Sequence, residues 1–396
     1  MSSPPSLPTD SSVAPGELGG SGGEDSLPGI EAQAHARAVL SPALLPGGNP
    51  SHAYLFHGPA GTGKRAVARA FAAVLLREGA RTPETVAERV ARDSHPDLTW
   101  VRPSGAAEML VSDIEEPVVS AAARTPFESA RRVFVIESVE TMNDQAANRM
   151  LKTLEEPPAF AHLLLLTNRR EDVLATIVSR CQQVRFDPLP ARRIADGLKR
   201  TMDVTEEQAL ACARLALGDA DEALRLVGEE GAKLRGGAEM FVRSALRGET
   251  GRRPWLGLLE AGKAAGVAAG EAAQERMADE LEYVPSKERK KYEREGLEAR
   301  RRGERRVRTQ TLDLALRLAE LWLRDVMCVG EGAAELIYAV DRRAELEEDA
   351  REVRAPAAIQ EGMELVAQTR LSLSLNVSEE LALEALAYRL QSVLQG

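Results

Sequence analysis

The chain has 396 residues, a formal net charge of −10, 44% hydrophobic residues and 4% aromatic residues. This length predicts two or three domains, and the acidic balance argues against free nucleic-acid binding by simple electrostatics, because phosphate neutralisation needs a cationic face. The apolar runs are too short for a membrane span, the N-terminus lacks the pattern of a secretory signal, and the three cysteines (Cys181, Cys212 and Cys328) are too few for a disulfide framework or a four-cysteine zinc site. We therefore expect a cytoplasmic, helix-rich protein of several domains.

The first 28 residues differ in composition from the rest of the chain. They are mostly Ser, Pro, Gly, Asp and Glu, with too little apolar content to offset the entropy of ordering. Residues 1–28 are therefore predicted to be a disordered tail.

From about residue 29 to residue 190, short apolar runs alternate with helical stretches. Continuous apolar runs bounded by helices are typical of parallel strands that are buried on both faces. The predicted strands cover residues 53–56, 98–101, 133–136 and 163–166, and the predicted helices cover 65–76 and 144–154. The fold class predicted for this region is α/β with a parallel sheet.

Beyond Pro190 the strand pattern stops. Residues 191–202, 205–217 and 220–228 are predicted to be three short amphipathic helices, and the chain is helical again from about residue 231. The stretch 287–308 carries a net charge of +6, so the remainder carries −16. A solvated helix or an exposed insert is favoured for this stretch, and a contact with phosphate or with an acidic partner is the alternative.

The sequence Gly58-Pro-Ala-Gly61-Thr62-Gly63-Lys64 lies between a predicted strand and a predicted helix. This is the context and spacing of a phosphate-binding loop, in which backbone N–H groups face the phosphates and the lysine neutralises their charge. ATP or ADP is the expected cofactor.

Two positions depart from a hydrolytic site. The residue after Lys64 is Arg65 instead of the Ser or Thr whose hydroxyl binds Mg²⁺; even if Arg65 turns out to solvent, that ligand is missing. After the strand 133–136, the chain has Glu137 and then Ser138, which cannot activate water, and Glu140 is expected to point elsewhere. We predict a degenerate Walker B position at Glu137 and impaired Mg²⁺-assisted hydrolysis.

Two further polar residues follow buried segments. Asn168, just after the strand 163–166, is either a γ-phosphate sensor or a turn cap. Arg180 is either an ordinary surface residue or a guanidinium that reaches a neighbouring subunit's γ-phosphate, whereas the adjacent Cys181 is interpreted as a small buried hydrophobe.

These segments resemble the delta-prime subunits of bacterial DNA polymerase III clamp loaders, which are AAA+ proteins. The residues that carry the resemblance are the loop with the preceding Ser51-His-Ala-Tyr-Leu-Phe56, the string Ala147-Asn-Arg-Met-Leu-Lys-Thr-Leu-Glu-Glu-Pro-Pro158, and Ser179-Arg180-Cys181. The match is dense over 29–190, thinner over 191–246 and weak beyond.

The resemblance implies an AAA+ P-loop domain over 29–190, a small helical lid over 191–246 and an all-α collar over 247–396, with a charged insert near 271–308. It implies that Arg180 is an arginine finger given in trans and that Asn168 is at the sensor-1 position. It places Asp221 where the motor subunits have an arginine. No zinc is expected, because residues 73–97 contain no cysteine.

The implied partners are the gamma/tau and delta subunits in a hetero-pentamer, with the sliding clamp and primer–template DNA reached through that complex, and no membrane. The implied role is that of a non-hydrolysing stator in the polymerase holoenzyme. The alternatives are an ATP-hydrolysing clamp-loader motor, which Arg65, Ser138 and Asp221 oppose, and a P-loop small-molecule kinase, which the SRC and LEEPP strings oppose.

Overall fold

The structure, a computed structural model, describes residues 27, 30–45, 48–103, 108–281, 289–353, 355–374 and 377–396. The chain folds as two compact units that divide between Pro188 and Leu189. Of the predicted N-terminal tail, only Leu27 is among the described residues, and it is buried. The rest of the predicted tail lies outside the described residues.

A five-stranded sheet forms the centre of the first unit. Its strands are β1 (Ala53–His57), β2 (Leu98–Val101), β3 (Arg132–Ile136), β4 (Ala161–Thr167) and β5 (Gln182–Arg185). They are all parallel and lie in the order β2-β3-β4-β1-β5. The predicted fold class is confirmed for this region.

Helices cover both faces of the sheet. Successive side chains of a strand point to opposite faces, and here the apolar side chains on each face pack in a separate core. Tyr54 and Phe56 of β1 pack in one core with Phe71, whereas Leu55 packs in the other core with Met150. The α-helices of this unit are α1 (Ala34–Leu40), α2 (Lys64–Arg77), α3 (Val86–Ala91), α4 (Val111–Ile114), α5 (Asp144–Glu155) and α6 (Ala175–Val178). The long α2 and α5 begin close to their predicted starts.

The sequence did not predict β5. Its residues Gln182, Gln183, Val184 and Arg185 include one apolar side chain, and Val184 alone of the four is buried. An edge strand needs only one covered face and one paired neighbour, so the continuous apolar run that marked the inner strands is missing here.

The second unit is built from helices over its described residues. They are α7 (Ala191–Thr201), α8 (Glu206–Leu215), α9 (Ala220–Val227), α10 (Glu229–Leu246), α11 (Trp255–Leu281), α12 (Arg289–Gly330), α13 (Arg343–Glu352), α14 (Pro356–Ser374) and α15 (Glu379–Gln395). Buried side chains from Ile194 to Leu394 form one hydrophobic cluster. The division of this unit into a lid and a collar stays a prediction.

The charged stretch lies in this unit, where the described parts of the predicted insert extend the paired helices α11 and α12. Arg300 there is paired with Glu304 at 2.7 Å, and Arg308 is paired with Glu379. No described helix has a stretch long and apolar enough to cross a membrane.

Candidate functional site

The glycine-rich loop joins the end of β1 to the start of α2, as its sequence predicts. Gly58, Gly61 and Gly63 have φ values of 142°, 62° and 88°, a region that other residues rarely adopt. A Cβ atom at Gly58 would lie 2.1 Å from the carbonyl oxygen of Phe186, so the loop also requires glycine for close approach to the segment that follows β5. The loop therefore has the backbone geometry and the helix N-terminus of an anion site.

Lys64 is 6% exposed, and its ammonium group lies within the loop. Its Nζ donates to the carbonyl oxygens of Gly58 at 2.6 Å and Pro59 at 2.5 Å. The hydroxyl of Thr62 donates to the same Pro59 oxygen at 3.0 Å. Lys64 is thus positioned at the loop that would hold the phosphates of ATP or ADP, and Gly58, Gly61, Thr62 and Gly63 shape that loop.

Gln33 is a site residue that the sequence did not indicate. It precedes α1, is 1% exposed, and donates through Nε2 to the carbonyl oxygens of Thr62 at 3.0 Å and Asp187 at 2.9 Å. Its Oε1 accepts from the Asp187 N–H at 2.8 Å. One amide side chain therefore fixes the loop to the segment after β5, two partners that are far from it in sequence.

Glu137 follows β3 and makes its contacts where a Walker B carboxylate is expected. Its side chain is 5% exposed, and its Oε2 lies 2.5 Å from Nη2 of Arg65. Its Oε1 accepts from Trp100 Nε1 at 2.6 Å and from Arg102 Nε at 3.2 Å. Although the Arg65 side chain is 67% exposed, its guanidinium is bonded to Glu137, so it does not simply turn out to solvent.

Magnesium is the metal ion that P-loop ATPases use, and these residues do not fit it. Arg65 supplies no oxygen, and both oxygens of Glu137 already accept from nitrogen donors. Ser138 follows in the left-handed region with φ 54°, and its hydroxyl is no general base. The position after Lys64 therefore lacks the hydroxyl ligand, and the position after Glu137 lacks the carboxylate, that metal-assisted hydrolysis needs.

Asn168 follows β4, the strand between β1 and β3, so the sheet brings it to the same edge as the loop and Glu137. Its backbone N–H lies 3.4 Å from Oε1 of Glu140. The expectation that Glu140 points elsewhere is therefore wrong: a turn follows Glu137, and the Glu140 carboxylate contacts the backbone of Asn168 at this edge of the sheet. Asn168 is located as a sensor residue would be, and that role stays a prediction.

Arg180 lies after α6 at the surface of the first unit, and its side chain is 34% exposed. Its Nη2 is 2.5 Å from Oε1 of Glu155, and its Nη1 donates to the carbonyl oxygen of Thr176 at 2.9 Å. Glu155 is the last residue of α5 and belongs to the LEEPP string. The two motifs that carry the family resemblance therefore meet in this ion pair.

The pKa values of two groups near these motifs are shifted towards the neutral form of the side chain. Burial, followed by the charges of Arg170, His35 and Arg185, lowers the pKa of His57 at the end of β1. Burial raises the pKa of the Cys181 thiol to about 12, which agrees with its interpretation as a small hydrophobe.

The remaining predictions concern Asp221 and the expected absence of a zinc site. Asp221 lies in the first turn of α9, in the second unit, where Asp219 caps the helix by accepting from the Glu222 N–H at 2.8 Å. Among the described residues no group of His, Cys, Asp and Glu has the arrangement of a metal site. His95 is buried and lies 3.3 Å from Glu128.

Comparison with known proteins finds a family model that matches most of the first unit. The model of the family "DNA polymerase III, delta subunit" matches residues 36–190. Together with two delta' relatives, this match confirms the resemblance to delta-prime subunits. The chain is 37% identical over 166 residues to DNA polymerase III subunit delta' of Pseudomonas aeruginosa, covering 40% of this chain and 50% of that protein. It is 36% identical over 154 residues to the delta' subunit of Bacillus subtilis, covering 37% and 46%.

The chain spans about half the length of these curated relatives. Among solved structures, a DNA polymerase III gamma subunit-related protein of Thermotoga maritima aligns with a TM-score of 0.37 and 19% identity. That alignment covers 85% of this chain and 94% of the other. The region matched by the family model, residues 36–190, contains the loop, Glu137, Asn168 and Arg180.

Proposed function

We propose that the protein is a delta-prime-type subunit of a DNA polymerase III clamp loader. In this role it supports the ATP-driven loading of a sliding clamp onto primed DNA and has no ATPase activity of its own. The match of residues 36–190 to the delta family supports the assignment, and so do the delta' relatives. The partners of this role are gamma/tau and delta subunits in a hetero-pentamer, with the clamp and primer–template DNA reached through the complex.

The observation that carries the proposal is the combination of an ion pair at the metal position of the phosphate loop with a partly exposed arginine after α6. Arg65 and Glu137 form an ion pair where a hydrolytic site binds its metal, which favours a subunit that does not cleave ATP. Arg180 instead presents a guanidinium at the surface. A planar guanidinium that reaches a neighbour's γ-phosphate neutralises the charge that develops during hydrolysis.

The test is a reconstituted complex with the motor and delta subunits. We expect Arg180→Ala to lower the ATPase rate of the complex by at least tenfold, because an arginine finger is worth about 10³-fold or more. Arg124→Ala is the matched control, since Arg124 is 66% exposed and is also held in a surface ion pair, with Glu116 at 3.2 Å. A complex that assembles and hydrolyses ATP at the same rate with either variant would overturn the proposal.

The isolated chain distinguishes a stator from a motor. We expect no ATP turnover above background, since the site offers neither a hydroxyl ligand nor a general base beside Glu137. Turnover typical of an AAA+ motor by the chain alone would contradict the stator role, and phosphoryl transfer to a small molecule would favour a kinase.

A further inference from the structure

At the metal position of this loop, a guanidinium replaces the missing hydroxyl and also bonds to the carboxylate that would bind the metal. A P-loop that uses magnesium needs a hydroxyl after the lysine and a carboxylate oxygen beyond the third strand. Here the hydroxyl is replaced by the guanidinium of Arg65, which has N–H donors and no acceptor. The carboxylate of Glu137 is still present, but it is bonded to that guanidinium at 2.5 Å.

The surroundings of Glu137 hold this arrangement in place. Trp100 and Arg102, at and just after the end of β2, donate to its Oε1 at 2.6 and 3.2 Å. The Glu137 carboxylate is 5% exposed, whereas the side chains of Arg65 and Arg102 are 67% and 56% exposed, so a buried carboxylate is held by donors that approach it from the surface. Glu137 therefore orients Arg65, and a divalent cation would have to displace that guanidinium to reach an oxygen.

The charges that face this position are mostly positive. Arg65 and Arg69 come from α2 and Arg102 from the segment after β2, and their ion-pair partners are Glu137 and Asp93. The ammonium group of Lys64 lies in the loop itself, and Glu140 adds one further carboxylate beside Asn168 at this edge. Arg69 is paired with Asp93 at 2.5 Å and lies 4.3 Å from the ring centre of Trp100. The phosphates of a nucleotide would thus meet a surplus of fixed positive charge without any metal ion.

We propose that this loop binds the phosphates of a nucleoside di- or triphosphate without a divalent cation, with the Arg65 guanidinium, held by Glu137, taking the place of the metal. The inference rests on the proposed degenerate nucleotide site and is independent of the role of Arg180. The loop would then be a structural nucleotide site that keeps its ligand whether or not magnesium is present.

The experiment is a titration of the full-length chain with mant-ADP and mant-ATP, once with EDTA and once with millimolar MgCl₂. For the wild-type chain we expect the two dissociation constants to agree within about twofold for each nucleotide. For Arg65→Thr we expect binding about tenfold weaker in EDTA, because a charge-assisted hydrogen bond to phosphate is lost. Magnesium should restore most of that affinity, since the variant offers a hydroxyl and frees an oxygen of Glu137.

Two further variants make the result specific. Arg77→Thr is the matched control, because Arg77 is exposed in the last turn of α2, about 18 Å along the helix from Arg65, so its titrations should equal those of the wild type. Arg65→Thr combined with Glu137→Gln should bind weakly in both buffers, because the carboxylate ligand is gone. Melting curves of each variant report whether the first unit is folded.

Each outcome decides the inference. Wild-type binding that is equal in both buffers, with a magnesium response gained by Arg65→Thr and lost again in the double variant, supports it. Wild-type binding that requires magnesium, or no binding of either nucleotide by the folded wild-type chain, overturns it. Neither negative result would contradict the proposed function. That function is tested separately, by the ATPase rate of the complex with and without the Arg180 side chain.

Discussion

The imidazole rings of His52 and His162 stack at the start of the sheet, with centroids 5.5 Å apart and planes 14° from parallel. Nδ1 of His162 lies 2.9 Å from the carbonyl oxygen of Ser51, and Nδ1 of His52 lies 3.1 Å from that of Ala161. Because a carbonyl only accepts, each Nδ1 donates. The stack therefore cross-links β4 to the segment that enters β1.

This stack makes the stability of the protein sensitive to acid. Burial lowers the pKa of His162 to about 4, from an ordinary value of about 6.5 in the unfolded chain. Between these values the unfolded state binds more protons than the folded state, so the free energy of unfolding rises with pH across this window and is lost as the pH falls through it. The loss from His162 alone is about 3 kcal/mol by pH 4.

Urea unfolding at a series of pH values measures this effect. His162→Gln retains an amide donor but does not titrate, so its free energy of unfolding should depend less steeply on pH between 4 and 6.5, by close to one proton. The same slope in variant and wild type would show that His162 is not the group responsible.

The second prediction concerns Gln33, which joins the phosphate loop to the segment after β5. Gln33→Ala removes both acceptor and donors from one buried amide and leaves the backbone groups of Thr62 and Asp187 without their partner. We expect a loss of about 2–4 kcal/mol in the free energy of unfolding, because buried polar groups left unpaired are costly.

Amide hydrogen exchange gives a local measurement of the same change. The N–H of Asp187 should exchange much faster in Gln33→Ala, because its acceptor is gone. Gln145→Ala, an exposed glutamine in the first turn of α5, is the control and should leave both stability and exchange unchanged. Unaltered protection at Asp187 in Gln33→Ala would contradict the role assigned to this side chain.

The third prediction concerns Glu155, the partner of Arg180. In Glu155→Gln the guanidinium keeps its bond to the Thr176 carbonyl but loses a competing anion. We expect the ATPase of the reconstituted complex to rise at subsaturating ATP, by no more than about fivefold, since an exposed ion pair contributes about 1 kcal/mol or less.

Glu156→Gln changes the adjacent carboxylate, which is not the partner of Arg180, and should leave the rate as it is. A fall in the rate with Glu155→Gln as large as that expected for Arg180→Ala would instead mean that Glu155 is needed to position the guanidinium of Arg180.

The sequence predicts the inner strands and the phosphate loop well, because buried parallel strands leave continuous apolar runs and glycine spacing records backbone conformation directly. It does not predict β5, whose residues Gln182–Arg185 lack such a run. It also shows that Arg65 removes a metal ligand, but not that Arg65 pairs with Glu137, 72 positions further along the chain. Gln33 leaves no signal, since its partners are 29 and 154 residues away.

The close approach of Gly58 to Phe186 gives this glycine a structural reason that is separate from any role in binding phosphate. Any larger residue at position 58 would collide with the backbone beyond β5, whether or not a nucleotide is ever bound. A glycine at this position is therefore required by the steric fit between neighbouring segments, and its presence alone does not indicate that the loop binds or hydrolyses a nucleotide. The chemistry of this P-loop has to be judged from the side chains at the metal position, and in this chain Arg65, paired with Glu137, is the one that changes it.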